Sequence, residues 1–332
     1  MLNKSLNLSK NIFNANIKTA STRDGFGDAL IPLGKDNKDI VVLSADLMES
    51  TRVHKFAKAY PKRFVQVGVA EQNMVGVGAG LAMNGKIPFI TSFAVFSPGR
   101  NWEQIRASVC YSNTNVKIAS THAGLSADKD GATHQGLEDI ALTRVLPNIT
   151  ILSPADYNQT QKAVKAAAHI KGPVYIRLAK NESPIFTTSK TPFNVIAAQI
   201  LKKGEDVTII AHGPIVYEAL KAARELELKF RIDAEVINCH TIKPLDEETI
   251  VKSAIKTGKV VIVEEHQVAG GLGSAVAELL SEKAPTQILR MGIKDVFTES
   301  GDYNKLLTKY KLNSANIVKK VKSLILSARG KK

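Results

Sequence analysis

The sequence predicts an α/β protein built from two consecutive open, mostly parallel sheets flanked by helices. Three observations predict it. Short apolar runs of strand length alternate with longer stretches of helical period. A segment rich in Pro, Ser and Thr, "LAKNESPIFTTSKTPFN" at 178–194, splits that alternation into two series. The length of 332 residues accommodates two domains of ordinary size.

The elements follow in chain order. The opening "MLNKSLNLSKNIFNANIKTA" is rich in Asn and Lys and lacks the apolar core and cleavage site of a signal peptide. Residues 1–20 are therefore expected to be an N-terminal tail, frayed or lying on a partner. "DIVVLSADL" (39–47) reads as a buried strand ending in a polar loop, and "FVQVGV" (64–69) as a strand feeding a helix headed by Glu71. Further strands are "KIPFITSF" (86–93), "NVKIASTH" (115–122), "ITILSP" (149–154) and "PVYIRLA" (173–179). "GRNWEQIRASVCYS", "GLEDIALTRVL" and "ADYNQTQKAVKAAAHI" between them are helical by period.

The second series runs "DVTIIAHG", "PIVYEALKAARELEL", "IDAEVINCHTIKPL", "DEETIVKSAIKTG", "KVVIVEEH", "GGLGSAVAELLSE" and "TQILRMGI", a second, smaller α/β unit. The expected domains are 21–185 and 196–326, joined by a linker at 186–195 and followed by a basic tail at 327–332.

Composition narrows the function. Apolar residues at 44% and charged residues at 23% are normal for a soluble globular protein, and no apolar run reaches membrane-span length. Two cysteines, Cys110 and Cys239, form no disulfide framework or metal-ligand spacing, so a reducing cytoplasm is expected. The formal charge of +14 raises nucleic-acid binding. The cations are spread along the chain without an aromatic-interleaved basic motif, so neither nucleic acid nor membrane is expected as a partner. A basic surface that gathers phosphorylated small molecules, or docks an acidic partner, is compatible with the charge.

In open α/β sheets ligands sit beyond the carboxyl ends of strands. Asp46, Ser50, Glu71, Phe93, Phe96 and His122 fall at such ends. Glu71 heads a helix of small and apolar residues, where the macrodipole alone favours a carboxylate by roughly 0.3–1 kcal/mol. A desolvated carboxylate there could also share a proton with the ring nitrogen of a bound heterocycle. Phe93 and Phe96, three apart, are core by default, yet their rings could wall a flat ligand. "STHAGLSADKDGATHQGLED" (120–139) gathers His122, Asp128, Asp130, Thr133 and His134. These could ligate a metal, or line a polar pocket for hydroxyl and phosphate oxygens. "GVGAG" (76–80) lacks the dinucleotide fingerprint's spacing, and helix packing explains it better. "AGGLGSA" (269–275) resembles an anion-binding turn, with a structural turn the stronger reading.

The strings "VGVAEQNM … AGLAMNGKIPFITSFAVFSPGRNWEQIR … STHAGLSADKDGATHQGLEDIALTRVLPNITILSPAD" resemble the pyrimidine-binding domain of transketolase, a thiamine-diphosphate enzyme. "EEHQVAGGLGSAVAELL" and "FTESGDYNKLL", within 196–326, resemble that family's C-terminal domain. The resemblance implies that Glu71 bonds the pyrimidine N1′ and so promotes loss of the thiazolium C2 proton. It implies that Phe93 and Phe96 pack on the pyrimidine and that Asp46 lies near the cofactor. Asp130 and His134 would bond sugar hydroxyls, with Glu71, Asp130 and His134 the implied catalytic set. Arg23, Ser50 and His122 match contacts at the substrate's phosphate end, where Lys180, or alternatively Arg177, supplies the family's next cation. The family's frequent third aromatic is replaced by Gly99.

The family's Gly-Asp-Gly…Asn motif for the diphosphate and metal has no counterpart in this sequence. The resemblance thus implies the C-terminal half of a split transketolase. An N-terminal subunit would carry the ligands of a Mg2+ or Ca2+ ion, self-dimerisation would give an α2β2 assembly, and sugar phosphates would be the substrates. The competing thiamine-diphosphate readings are 1-deoxyxylulose-5-phosphate synthase and a 2-oxoacid dehydrogenase β subunit. The first tends to carry Arg where this chain has His122, and the second typically lacks the "KDGATH" pair. A non-enzymatic alternative is a regulatory or scaffolding homologue that has lost catalysis.

Overall fold

The structure is a computed structural model and describes residues 1–329. The first half contains β1 (Thr19–Ser21), α1 (Thr22–Asp36), β2 (Ile40–Ser44), α2 (His54–Ala59), β3 (Phe64–Gln66), α3 (Glu71–Met83), β4 (Ile87–Phe93), α4 (Trp102–Gln104), β5 (Lys117–Thr121), α5 (Asp139–Arg144), β6 (Thr150–Leu152), α6 (Tyr157–His169), β7 (Val174–Arg177) and β8 (Glu182–Pro184). The second contains β9 (Gln199–Lys202), β10 (Val207–Ala211), α7 (Val216–Phe230), β11 (Ala234–Asn238), β12 (Thr241–Lys243), α8 (Glu247–Thr257), β13 (Lys259–Gln267), α9 (Leu272–Lys283), β14 (Gln287–Ile293), α10 (Tyr303–Lys309) and α11 (Ser314–Arg329).

Among the described residues the strands form a seven-stranded sheet, β12-β6-β7-β5-β4-β2-β3, a five-stranded sheet, β14-β13-β10-β11-β9, and a β1-β8 pair. Both larger sheets are parallel except at one edge, where β12 and β9 run antiparallel to their neighbours. Strands β2, β5, β7, β10 and β11 are buried along their whole length, as a sheet covered on both faces requires. Helices α1 and α6 cover one face of the first sheet through Phe26, Leu30, Ala163 and Val164. Met74, Val75 and Ala79 of α3 cover the other, with Ile105 and Val109. Those last two lie in a π-helical stretch, Ile105–Tyr111, that continues α4. Ser21 and Asp156 cap α1 and α6 by accepting from Asp24 N and Gln159 N.

Two placements differ from the sequence expectation. Residues 1–20 are not a free tail. Leu6 and Ile12 are buried in the core of the C-terminal domain. Asn3 donates its backbone N–H to Leu201 O at 2.9 Å, and Tyr217 Oη donates to Ile12 O at 2.9 Å. The apolar residues scattered through the Asn-rich segment find their partner within the same chain. The second difference is β12: after β11 the chain leaves its own sheet and adds a strand to the first one. The expected basic tail at 327–332 lies outside the described side chains.

Because β2, β3, β4, β5 and β7 run parallel, their carboxyl ends share one edge. That edge carries Asp46, Glu71, Phe93, His122 and Lys180.

Candidate active site

Glu71 opens α3, preceded by Ala70, which supplies no side-chain cap. The carboxylate therefore sits in a helix first turn where unpaired N–H groups and the dipole favour negative charge. It is only 4% exposed, yet it borders an open cleft of ≈ 520 Å³ lined by Val69, Ala70, Gln72, Asn73 and Arg100. Arg100 Nη1 donates to it, 3.1 Å from Oε1 and 3.2 Å from Oε2. The turn that carries Arg100 is fixed to the helix start. Asn101 Nδ2 donates to Glu71 O (3.2 Å) and to Ser97 Oγ (3.1 Å).

The aromatic residues continue from there. The Arg100 guanidinium lies 4.0 Å above the Phe96 ring centroid. Phe96 and Phe93 stack at 5.7 Å, and His122 stacks on Phe93 at 3.7 Å. His134 meets Phe96 edge-on at 5.4 Å. Phe93 is thus the buried backing of the wall, and the face of Phe96 is covered by the guanidinium that bonds Glu71. A Cβ at Gly99 would collide with the Val95 carbonyl, so this turn admits no third aromatic at that position. Arg100, one residue on, takes the place against Phe96.

A second group of polar side chains adjoins these rings. His122 has left-handed backbone (φ 59°), uncommon for a residue with a side chain. Its Nδ1 lies 2.8 Å from Thr121 Oγ1. Burial, with the positive charges of Arg23 and Lys180, pushes its imidazole down to about 3, so it is neutral at physiological pH. Arg23 donates from Nη1 to Ser50 O at 2.9 Å, while its buried Nε has no protein partner. Lys180 Nζ lies 3.0 Å from Asp130 Oδ2 and 3.5 Å from Asp128 Oδ1. Thr133 Oγ1 lies 2.9 Å from His134 Nδ1. Asp46, also left-handed at φ 60°, is exposed at the end of β2, its N–H donated to Gln66 Oε1 at 2.6 Å.

The structure thus links Glu71, through Arg100, to Phe96, Phe93, His122 and His134 in one chain of contacts, with Arg23, Ser50, Asp130 and Lys180 beside it. It corrects the alternative cation, Arg177. That guanidinium is buried and donates from Nε to Asp139 Oδ2 at 2.8 Å and from Nη2 to Glu265 O at 2.7 Å. An arginine committed to a buried carboxylate and a carbonyl of the other domain is not free for phosphate. The turn at 269–275 is filled from within, in line with its reading as a structural turn: Glu264 accepts from Leu272 N and Gly273 N, both at 2.8 Å. The His122 imidazole stacks on Phe93 and that of His134 meets the rings edge-on, so each is taken up by the aromatic wall. Among the described residues no group of three or more His, Cys, Asp or Glu is placed to hold a metal ion.

Sequence reasoning passed over Arg100. Its signal was its spacing: four residues after Phe96, within one helical turn's reach.

Residues 18–185 match the family description "Transketolase, pyrimidine binding domain", and residues 197–317 match "Transketolase, C-terminal domain". Fold and matches together define a pyrimidine-binding domain of the thiamine-diphosphate type joined to a C-terminal domain. The chain belongs to the transketolase family. It is similar to a protein of Methanocaldococcus jannaschii that carries the provisional description transketolase C-terminal section, at 46% identity over 90% of this chain and 94% of that one. It is 42% identical to a 6-deoxy-6-sulfo-D-fructose transketolase subunit of Clostridium sp., over 90% of this chain and 92% of that one. A solved structure described as a split gene transketolase, inactive β4 tetramer, superposes with a TM-score of 0.86 at 49% identity, covering 92% of this chain and 98% of that chain. No helix of the described residues is long and apolar enough to cross a membrane.

Proposed function

We propose that this chain is the C-terminal subunit of a split transketolase, transferring a two-carbon ketol unit between ketose and aldose phosphates. One observation carries the reading: Glu71, 4% exposed, borders an open cleft, and the Arg100 guanidinium bonded to it lies over the ring face of Phe96. A buried carboxylate next to an aromatic plane suits an aminopyrimidine, which needs a proton partner at one ring nitrogen and a surface to stack on. The residues present therefore fit the pyrimidine end of thiamine diphosphate, the cofactor that the family implies.

When bound, that cofactor supplies the nucleophile and electron sink of ketol transfer. The chain's own residues supply position and field. Glu71 would hold a proton at the pyrimidine N1′ in a site with little water, where low dielectric strengthens the contact. Phe96, backed by Phe93, would fix the ring plane, with Asp46 at the neighbouring strand end. Asp130 and His134 would orient sugar hydroxyls. Arg23, Ser50, neutral His122 and Lys180 would receive the substrate phosphate, Lys180 as a point charge and Arg23 through its unpaired Nε.

The diphosphate and a Mg2+ or Ca2+ ion fall to an N-terminal partner subunit in this reading, and two copies of each chain make an α2β2 assembly in the cytoplasm. The similarity to a chain described as an inactive β4 tetramer supports the view that this subunit self-associates and is inactive alone.

Co-purification with the chain encoded in the neighbouring reading frame, followed by assay of ketol transfer with thiamine diphosphate and magnesium, tests the reading. The pair should be active and this chain alone silent. Glu71→Gln should retain the fold by circular dichroism and lose turnover by roughly 10²- to 10⁴-fold, the range for a general acid–base group. Near-normal turnover in that variant would refute the assignment.

A further inference from the structure

Arg100 has no part in the roles assigned above, yet it is the side chain seated on Glu71. Its Nη1 reaches both carboxylate oxygens, at 3.1 and 3.2 Å, while the guanidinium carbon lies 4.0 Å from the centre of the Phe96 ring. A guanidinium is flat, donates N–H bonds from its edge and stacks through its face. An aminopyrimidine protonated on a ring nitrogen has the same two properties. One carboxylate and one ring face cannot serve both planes at once.

We propose that Arg100 is a latch that stands in for the aminopyrimidine: it occupies Glu71 and Phe96 in the cofactor-free subunit, and cofactor binding displaces it. The inference rests on the reading of Glu71 as the pyrimidine's partner.

The local architecture fits a side chain that moves while its backbone stays. Arg100 N–H donates to Phe96 O at 2.8 Å, and Arg100 O accepts from Gln72 Nε2 at 3.3 Å. The next residue, Asn101, is buried and bonded to Glu71 O and Ser97 Oγ. The Arg100 side chain, by contrast, is 50% exposed, against 4% for Glu71. Rotation about its own torsions carries the guanidinium into solvent without opening the core. The latch also answers a physical need, because a carboxylate this buried is unfavourable without a donor. Arg100 satisfies it until the ring arrives, and its hold on Glu71 subtracts from cofactor affinity.

The test is a double-mutant cycle on the full chain assembled with its partner, with thiamine diphosphate and Mg2+ as the probe and the dissociation constant as the readout. Arg100→Ala should tighten binding by roughly 3- to 20-fold, the scale of one half-exposed ion pair plus one stacked cation. Glu71→Gln should weaken binding. In the Glu71→Gln background the Arg100→Ala gain should shrink to roughly 2- to 5-fold, the share of the Phe96 stacking that Gln leaves in place. If Arg100→Ala binds as wild type or more weakly while Glu71→Gln still weakens binding, the latch is wrong and the Glu71 assignment survives. If Glu71→Gln binds like wild type, the Glu71 assignment fails and the latch falls with it.

A second readout uses this chain alone, without cofactor. Arg100→Ala should lower the thermal midpoint, and it should lower it less when Glu71 is already Gln. Equal losses in both backgrounds would make Arg100 a packing residue and overturn the latch. Arg100→Met keeps the stem without the charge. It should behave as Arg100→Ala does, and it serves in both measurements if the alanine variant fails to fold.

Discussion

At the residue scale, the sheet edge sets the chemical state of each side chain it carries. Glu71 is held at a helix start with Arg100 as its donor, and His122 is held neutral. The His122 imidazole is pushed down to about 3 by burial first and by neighbouring cations second. In the unfolded chain it takes a proton near 6.5, and in the folded chain it refuses one until about 3. The unfolded state therefore binds more protons across that window, so the histidine's effect is absent above 6.5 and stability is lost as the pH falls toward 3. His240, pushed down to about 4 by burial, adds in the same direction. The expected outcome is that His122 ring resonances stay at neutral-imidazole positions from pH 8 to 5 by NMR. His122→Gln should flatten the acid limb of a stability–pH curve by on the order of a few kcal/mol. A His122 signal titrating near 6.5 would contradict this account.

At the element scale, the turn from Phe93 to Asn101 decides what the cleft contains. Gly99 lies against the Val95 carbonyl, so any side chain there forces the turn open. Gly99→Ala should destabilise the protein by about 1–3 kcal/mol in urea unfolding, the scale of an overpacked site. It should also weaken thiamine diphosphate binding by the assembled enzyme, because Phe96 rides on the same turn. The N-terminal arm is a second element with a measurable effect. Leu6 and Ile12 are buried in the C-terminal domain core, and each is worth about 1.5–3 kcal/mol by area. Deleting residues 1–17 should lower the midpoint of that domain in calorimetry by several degrees; an unchanged trace would show that the arm is dispensable. The arm's few leucines and isoleucines are dispersed among Asn and Lys, so its sequence carries no periodic face. Only the surface that it covers makes it ordered.

At the scale of the whole molecule, the two domains are joined by more than a linker. Strand β12 of the second half extends the first sheet through β6. The Arg177–Asp139 pair reaches across to Glu265 O, and Asp139 Oδ2 also accepts from Tyr175 Oη at 2.8 Å. Arg177 and Asp139 are both buried, so removing one partner leaves a charge without a counter-ion. Asp139→Ala should cost about 3–5 kcal/mol. Because the bond network spans both domains, its loss should split a single urea transition into two, as followed by fluorescence and circular dichroism. A single unshifted transition would argue that the domains are held by the apolar contacts alone.

The sequence by itself determined the α/β class, the alternation of strand and helix, and most of the residues at the carboxyl edge of the first sheet. It could do so because periodicity and strand-end position are local properties: Glu71, Phe93, Phe96, His122 and Lys180 each follow a run that reads as a strand. Tertiary structure alone decided which cation lay where. Arg177 sits at the end of a strand as a site residue would, and burial against Asp139 takes it away. Arg100 sits in an ordinary turn, and the approach of that turn to α3 puts it on Glu71. The arm and β12 were decided in the same way, because what a segment packs against depends on residues far away in the sequence, Leu201 and Tyr217 for the arm and Leu152 for β12, and no local pattern encodes them.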